Sequence, residues 1–177
     1  MDIGQIDFTA VLHAQGPDPE RAEALQLYGR FVGSWSMAAT VYPDDGSRHE
    51  APGEIYFSWV LEGRAIQDVW ILPGVFCGTT LRVYDPAIDA WRILWSDPLR
   101  QFYARQIGRA EGNDIVQYGT NDAGDTLRWS FTEIGADSFR WTGERSRDGG
   151  KNWQLQADFL ARRVSTTECQ TAGSNTP

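Results

Sequence analysis

Residues 138–163 constrain the fold more than any other segment, because apolar and polar residues alternate on both sides of a glycine-containing turn. Such alternation is typical of a β-strand with one buried face, and Gly149 and Gly150 suit the tight turn between two strands. The predicted buried face carries Phe139, Trp141, Gly143, Trp153, Leu155, Ala157, Phe159 and Ala161. The segment therefore predicts a long β-hairpin whose apolar face needs a matching surface from the rest of the chain.

The same alternation begins at Gly33 and continues through a series of short turns rich in glycine, proline and aspartate. It predicts eight further strands around residues 35–41, 55–61, 66–72, 81–83, 91–95, 102–106, 115–118 and 127–131. Strands joined by short turns without helices between them favour an antiparallel meander. A meander of this length avoids exposed edges most simply by closing. We therefore predict an all-β fold, a closed antiparallel meander barrel of about ten strands, with a β-sandwich as the alternative.

A short helix is predicted just before the strands. Asp18 is a suitable N-cap and Pro19 suits the first helical position. The apolar residues that recur at helical spacing are Leu25, Tyr28 and either Phe31 or Val32. The helix should end by Gly33 and cover one mouth of the barrel with its apolar side.

The chain has 177 residues, which is most simply one domain. We assign residues 1–16 to an irregular N-terminal arm, 17–163 to the barrel with its helix, and 164–177 to a disordered polar tail. The chain shows no signal-peptide pattern and no transmembrane-length apolar stretch. A cytoplasmic location without a membrane partner is the resulting expectation.

Charge and cysteine usage exclude several function classes. The formal net charge of −8 disfavours binding to nucleic acid or anionic membranes. Cys77 and Cys169 form no CxxC motif, so neither a zinc site nor a redox pair is indicated. The sequence also shows no Ser/His/Asp set and no phosphate-binding glycine loop. We therefore predict no metal and no cofactor.

Several motifs resemble known barrel families. The run Phe31-Val32-Gly33-Ser34-Trp35 resembles the Gly-x-Trp opening of lipocalin and fatty-acid-binding protein barrels. The runs at 59–64, 84–86 and 146–153 are similar to a bacterial family of unknown function in the same calycin group, the DUF1579-like proteins. The resemblance spans roughly residues 27–163. It implies a closed barrel with an internal cavity and supplies no catalytic residues.

The related nitrobindin-like barrels bind haem through a histidine on a late strand. The two histidines of this chain are His13 in the arm and His49 near the first hairpin. The resemblance therefore does not extend to a haem site.

Three polar residues share the predicted inner face of the strands, namely Asp68, Gln106 and Arg145. A carboxylate removed from water needs a partner, so Asp68 and Arg145 could pair or clamp a polar ligand. A one-residue change of register would turn each of them to solvent, and Tyr103 and Arg105 would then replace Gln106 inside.

His49 is suited to proton transfer near neutral pH. It is our third candidate catalytic residue, with Asp68 and Arg145. The alternative is that it is simply solvated in a loop.

Four tryptophans are predicted to line the cavity wall: Trp70, Trp95, Trp129 and Trp141. Together with Gln106 they are the candidate ligand-binding residues, and they favour a flat or hydrophobic ligand. They could instead fill the barrel. The first functional hypothesis is a binding or carrier protein for a small hydrophobic or aromatic molecule. The second is a cofactor-independent isomerase, cyclase or lyase, and the third is a filled-barrel interaction module, with a homodimer as its partner state.

Overall fold

Ten antiparallel strands close into a barrel in the computed structural model, which describes residues 7–165. Each strand pairs with its neighbours along the chain, and β1 pairs with β10 to complete the circle. The strands are β1 (Gly33–Val41), β2 (His49–Val60), β3 (Ala65–Leu72), β4 (Phe76–Asp85), β5 (Ala90–Asp97), β6 (Phe102–Glu111), β7 (Asp114–Asn121), β8 (Thr126–Thr132), β9 (Ser138–Ser146) and β10 (Gln154–Arg163). The predicted closed meander of about ten strands is confirmed, and the β-sandwich alternative is wrong.

The predicted helix is present and begins with a single 3₁₀ turn, Pro19–Arg21, followed by an α-helix, Ala22–Gly29. The Asp18 side chain accepts a hydrogen bond from the Glu20 backbone N–H at 3.1 Å, as an N-cap does. Leu25 and Tyr28 are fully buried, so the apolar side of the helix packs on the barrel end as expected. The helix ends at Gly29, and Gly33 instead begins β1.

The N-terminal arm contains regular structure that the sequence did not predict. A five-residue helix, Phe8–Leu12, begins at Asp7, whose side chain accepts from the Thr9 N–H. The Leu12 carbonyl then accepts from the Leu61 N–H at 3.0 Å, so the arm is tied to the β2–β3 turn. Because these backbone bonds link distant segments, no local pattern reveals them.

Two parts of the earlier predictions lie outside the described residues, namely the start of the arm at 1–6 and the tail at 166–177. No helix within residues 7–165 is long and apolar enough to span a membrane.

Aromatic side chains fill the barrel end beneath the longer helix. The cluster comprises Tyr28, Phe31, Trp35, Phe57, Trp91, Phe131 and Phe139. The Trp35 indole donates a hydrogen bond to the Phe31 carbonyl at 2.7 Å, and the Arg163 guanidinium lies 4.1 Å from the Trp35 ring centre. The Gly-x-Trp segment thus belongs to the closed end of the barrel. The turns that follow β1, β3, β5, β7 and β9 lie at the other end.

The face assignment of the last hairpin needs one correction. A register shift between Leu155 and Ala157 turns Leu155 outward, where it is 36% exposed. Trp153 also lies outside, with its ring centre 4.4 Å from the Arg128 guanidinium. Both had been predicted on the buried face. A β-bulge adds a residue to one strand and so reverses the alternation beyond it.

Candidate functional site

The barrel contains a cavity of about 450 Å³ at the end opposite the longer helix. Its rim includes residues of the turns after β1, β3 and β5, among them Pro43, Gly74 and Arg100. The barrel interior is therefore not filled by its own side chains. This volume falls within the roughly 300–1,000 Å³ typical of small-molecule sites.

Five aromatic rings form a closed circuit around the cavity wall, which we call the aromatic belt. Its members, in order of contact, are Trp95, Trp129, Trp141, Phe159 and Phe76, with Phe76 returning to Trp95. Neighbouring ring centres are 5.0–6.2 Å apart, and Trp141 stacks on Phe159 at an interplanar angle of 20°. The belt presents ring faces and edges to whatever occupies the cavity.

Trp70 lies against the belt, with its ring centre 5.5 Å from that of Trp141. All four tryptophans predicted for the wall, including Trp95 and Trp129, line the cavity. They do so because each occupies an inward position of its strand. Whether they contact a ligand stays a prediction.

Glycines on the inner face leave space for these indoles. A Cβ at Gly143 would lie 2.7 Å from the Trp141 ring and 3.6 Å from the Trp129 ring. A Cβ at Gly78 would collide with the Trp95 ring in the same way. Because a side chain at either position would displace a ring of the belt, these glycines help to determine the shape of the cavity.

A buried ion pair between Asp68 and Arg82 forms the polar floor of the cavity. Asp68 is fully buried, and its Oδ2 pairs with Nη1 of Arg82. The other carboxylate oxygen accepts from the Thr80 backbone N–H at 2.9 Å. Of these residues, Arg82 and Thr80 line the cavity itself. Strand pairing explains the contact, because Asp68 lies opposite Thr80 and Arg82 is the next inward residue of β4.

The Arg82 guanidinium also lies against aromatic rings. Its Cζ atom is 5.1 Å from the Tyr28 ring centre, 5.6 Å from Phe57 and 5.7 Å from Phe131. Burial lowers the pKa of Arg82 to about 10, which leaves the group cationic at neutral pH. Burial likewise raises the pKa of the Tyr28 phenol, which stays neutral. The floor therefore holds one cation and one anion in a desolvated aromatic setting.

Three cavity residues have a buried N–H donor without a hydrogen-bond partner among residues 7–165. They are Arg82 and Arg145 at Nε and Trp70 at Nε1, and the Arg145 Nε lies 3.9 Å from the Asp125 carboxylate. The Arg82 and Trp70 side chains are almost fully buried. The amide groups of Gln106 and Gln117 are also buried without a partner in this part of the chain. Buried polar groups in native proteins are usually hydrogen-bonded, so these donors are an unusual feature of the cavity wall.

The predicted pairing of Asp68 with Arg145 is wrong. Arg145 lies at the cavity rim, where its Nη2 contacts Oδ1 of Asp44 and its Nε is 3.9 Å from the Asp125 carboxylate. It therefore reaches carboxylates of two rim loops, whereas Asp68 lies at the floor beside Arg82. The strand end near a turn emerges towards solvent, as strand ends commonly do.

Gln106 and His49 do not belong to this cavity. Gln106 is buried, in the inward register that the sequence predicted, while Tyr103 faces outward at 37% exposed. Its cross-strand neighbours are Ile93 and Gly119, away from the cavity lining. His49 is exposed at the start of β2 and hydrogen-bonds the Ser47 hydroxyl at 3.1 Å. No group of three or more His, Cys, Asp and Glu residues in the described chain could hold a metal ion.

Sequence reasoning missed Arg82 and Gln156, which both line the cavity. Gln156 enters through the bulge in β10, which leaves no clear sequence signal. Arg82 had a signal, because an inward Asp68 requires a cationic partner on a neighbouring strand. However, its outward neighbours Leu81 and Val83 are more apolar than Thr80 and Arg82, so apolarity alone indicates the opposite face.

Comparisons with solved structures support the fold. Rv2717c from M. tuberculosis superposes with a TM-score of 0.60 at 16% identity, over 81% of this chain and 99% of that one. The S-type phycobiliprotein lyase CPES from Guillardia theta gives a TM-score of 0.56 at 15% identity, over 85% and 99%. Both likenesses show a shared barrel fold.

No protein-family model and no curated protein matches this chain. The comparisons therefore support the barrel fold alone, and the resemblance to the calycin group and its DUF1579-like proteins stays a prediction.

Proposed function

We propose that this protein binds a small, largely aromatic or hydrophobic molecule in its barrel cavity. The observation that carries the proposal is the cavity of about 450 Å³ enclosed by the aromatic belt. Aromatic rings supply large apolar areas and favourable stacking geometry for flat molecules. The tryptophans also supply a direct readout, because a ligand beside them changes their fluorescence.

The first test is native mass spectrometry of freshly purified protein, compared with the same sample after denaturation. A small molecule released on denaturation supports an occupied cavity and gives the ligand's mass. Tryptophan quenching by a panel of aromatic compounds then measures affinity. The proposal fails if no adduct is found and no aromatic compound quenches saturably.

A matched pair of variants ties binding to the cavity. Gly143→Leu places a side chain between Trp129 and Trp141, and it should weaken binding at least about tenfold because it occupies ligand volume. Thr142→Leu is the control, since Thr142 occupies the alternate position of β9, on the face that does not line the cavity. Equal affinity for both variants would place the binding site elsewhere.

A second candidate function is a cofactor-independent isomerase, cyclase or lyase. It is favoured by the Asp68–Arg82 pair at the cavity floor, because a desolvated charged pair can polarise a bound substrate. The fold shared with a protein described as a phycobiliprotein lyase gives this candidate further support. The test incubates the co-purified compound with the wild-type protein and with Asp68→Asn. Conversion of the compound to a product by the wild type, but not by the variant, would favour the enzyme over the carrier.

The filled barrel of the interaction-module hypothesis does not agree with the open cavity. The homodimer stays a prediction. Its test is the molecular mass of the protein as a function of concentration. A cytoplasmic location and the lack of nucleic-acid and membrane partners likewise stay predictions from composition.

A further inference from the structure

We propose that the cavity floor is a subsite for a neutral oxygen acceptor, such as the ketone, amide or lactam carbonyl of an aromatic ligand, which Arg82 and Trp70 bind by hydrogen bonds. This inference rests on the proposed binding function and specifies the chemical class of its ligand.

The first argument is the supply of donors. Nε of Arg82 and Nε1 of Trp70 are buried donors without a hydrogen-bond partner among residues 7–165. The Tyr28 hydroxyl beside the guanidinium is a polar neighbour of Arg82, whereas the rings that pack on Trp70 carry no hydroxyl group. The two donor groups lie against the same two rings, since Phe57 and Phe131 contact the Trp70 ring and the Arg82 guanidinium alike. An oxygen acceptor placed between them would satisfy buried donors that are costly to leave unpaired.

The second argument is charge. Asp68 already balances Arg82, so the pair is neutral as a whole. The other polar groups at the floor are Thr80 and Tyr28, and both are uncharged, since burial raises the pKa of Tyr28. A ligand carboxylate would leave one uncompensated negative charge in this desolvated site, which is strongly unfavourable. A neutral carbonyl accepts the same hydrogen bonds without that cost.

The third argument is the order of surfaces along the cavity. The polar floor is the inner end of the cavity, nearest the helix that covers the other end of the barrel. The aromatic belt surrounds the space between this floor and the open rim. A ligand with a flat apolar body and one carbonyl would enter with the carbonyl first. Its body would then lie beside the rings of Trp129 and Trp141.

The test compares three naphthalene probes of nearly the same shape, each substituted at the β position. They carry an acetyl group, an isopropyl group or a carboxylate. Affinities are measured by tryptophan quenching and calorimetry. We expect the acetyl compound to bind at least about tenfold more tightly than the isopropyl compound, because hydrogen bonds to charged donors are among the stronger ones. The carboxylate compound should bind no more tightly than the isopropyl compound.

Infrared spectroscopy gives a second readout that does not depend on affinity. The carbonyl of the acetyl probe, labelled with carbon-13, should show a lower stretching frequency when bound than in an apolar solvent. This shift reports a hydrogen bond to the ketone oxygen in the wild-type protein, so it needs no variant.

A double variant, Asp68→Asn with Arg82→Met, removes the Arg82 donor without leaving a lone buried charge. It should reduce the preference for the acetyl probe and the infrared shift, because only Trp70 remains to donate, while it retains binding of the isopropyl probe. The matched control is Asp85→Asn with Arg92→Met, an ion pair at 2.7 Å whose arginine is 60% exposed. This control should leave all three affinities unchanged.

The outcomes separate this inference from the proposed function. If all three probes bind with equal affinity and no infrared shift appears, the floor subsite is refuted while cavity binding stands. If the carboxylate binds most tightly and loses affinity in the double variant, the floor is an anion site instead. If no probe binds saturably, the proposed function and the floor subsite both fail.

Discussion

Replacing Arg82 with methionine tests the buried ion pair most sharply. The Arg82→Met substitution keeps much of the side-chain volume, so its main effect is on the fully buried Asp68 carboxylate. That carboxylate would retain one hydrogen bond, from the Thr80 N–H at 2.9 Å. Breaking a buried pair by removing one partner typically costs about 3–5 kcal/mol. We expect a loss of that size in the free energy of unfolding.

The double variant Asp68→Asn/Arg82→Met should recover most of this loss. Asparagine keeps an acceptor oxygen for the Thr80 N–H and carries no charge, so no uncompensated ion remains. Replacing both members of a buried pair is often close to neutral. We expect the double variant to lie within about 2 kcal/mol of the wild type, with a coupling energy obtained from the full double-mutant cycle.

Urea denaturation followed by circular dichroism and tryptophan fluorescence measures all four proteins of the cycle. The deficit of Arg82→Met should also shrink as the pH falls, because a lone buried carboxylate escapes its desolvation cost by taking up a proton. The reasoning is refuted if Arg82→Met and the double variant lose the same stability. It is equally refuted if the deficit of Arg82→Met is under about 1 kcal/mol, the range of an exposed pair.

Three further predictions follow from the belt, the cavity and the hairpin turn. Trp141→Ala should lower the free energy of unfolding by about 3–5 kcal/mol, because it removes a buried indole and leaves a void. Trp153→Ala on the outer face should cost much less. Urea denaturation measures both variants. Gly143→Leu should lose ligand affinity and keep a native circular dichroism spectrum, since an indole can shift to admit the side chain. Hydrogen bonds from Asn152 hold the pKa of Asp148 at about 2, below its ordinary value of 3.8. Asp148→Asn should therefore lower the free energy of unfolding by its full amount at pH values above 3.8, and the loss should vanish as the pH falls towards 2. Stability is measured for the wild type and the variant as a function of pH. A difference between the two proteins that stays constant down to pH 2 would contradict this prediction.

Most of the fold could be predicted because it follows from local alternation. The period of two, the glycine turns and the Asp18 cap each act within a few residues, and the structure shows the barrel and helix that they indicate. The inward positions of Trp70 and Trp141 follow from the same alternation, because closing the barrel buries one face of every strand.

Only one member of the buried ion pair could be predicted from the sequence. Asp68 was identified as an inward carboxylate, but its partner depends on the register between β3 and β4. Around Arg82 the outward residues Leu81 and Val83 are more apolar than the inward ones, so local apolarity indicates the wrong face for Arg82. Arg145 contacts Asp44, 101 residues away in the chain, and no local pattern connects the two.

The central claim is that the cavity above the Asp68–Arg82 floor binds small aromatic molecules. The most direct test is a titration of the wild-type protein and Gly143→Leu with β-acetylnaphthalene, followed by tryptophan fluorescence. We expect saturable quenching with one ligand per chain in the wild type, and a loss of at least about tenfold in affinity in Gly143→Leu. Quenching that never saturates, or that is the same in both proteins, would contradict the account.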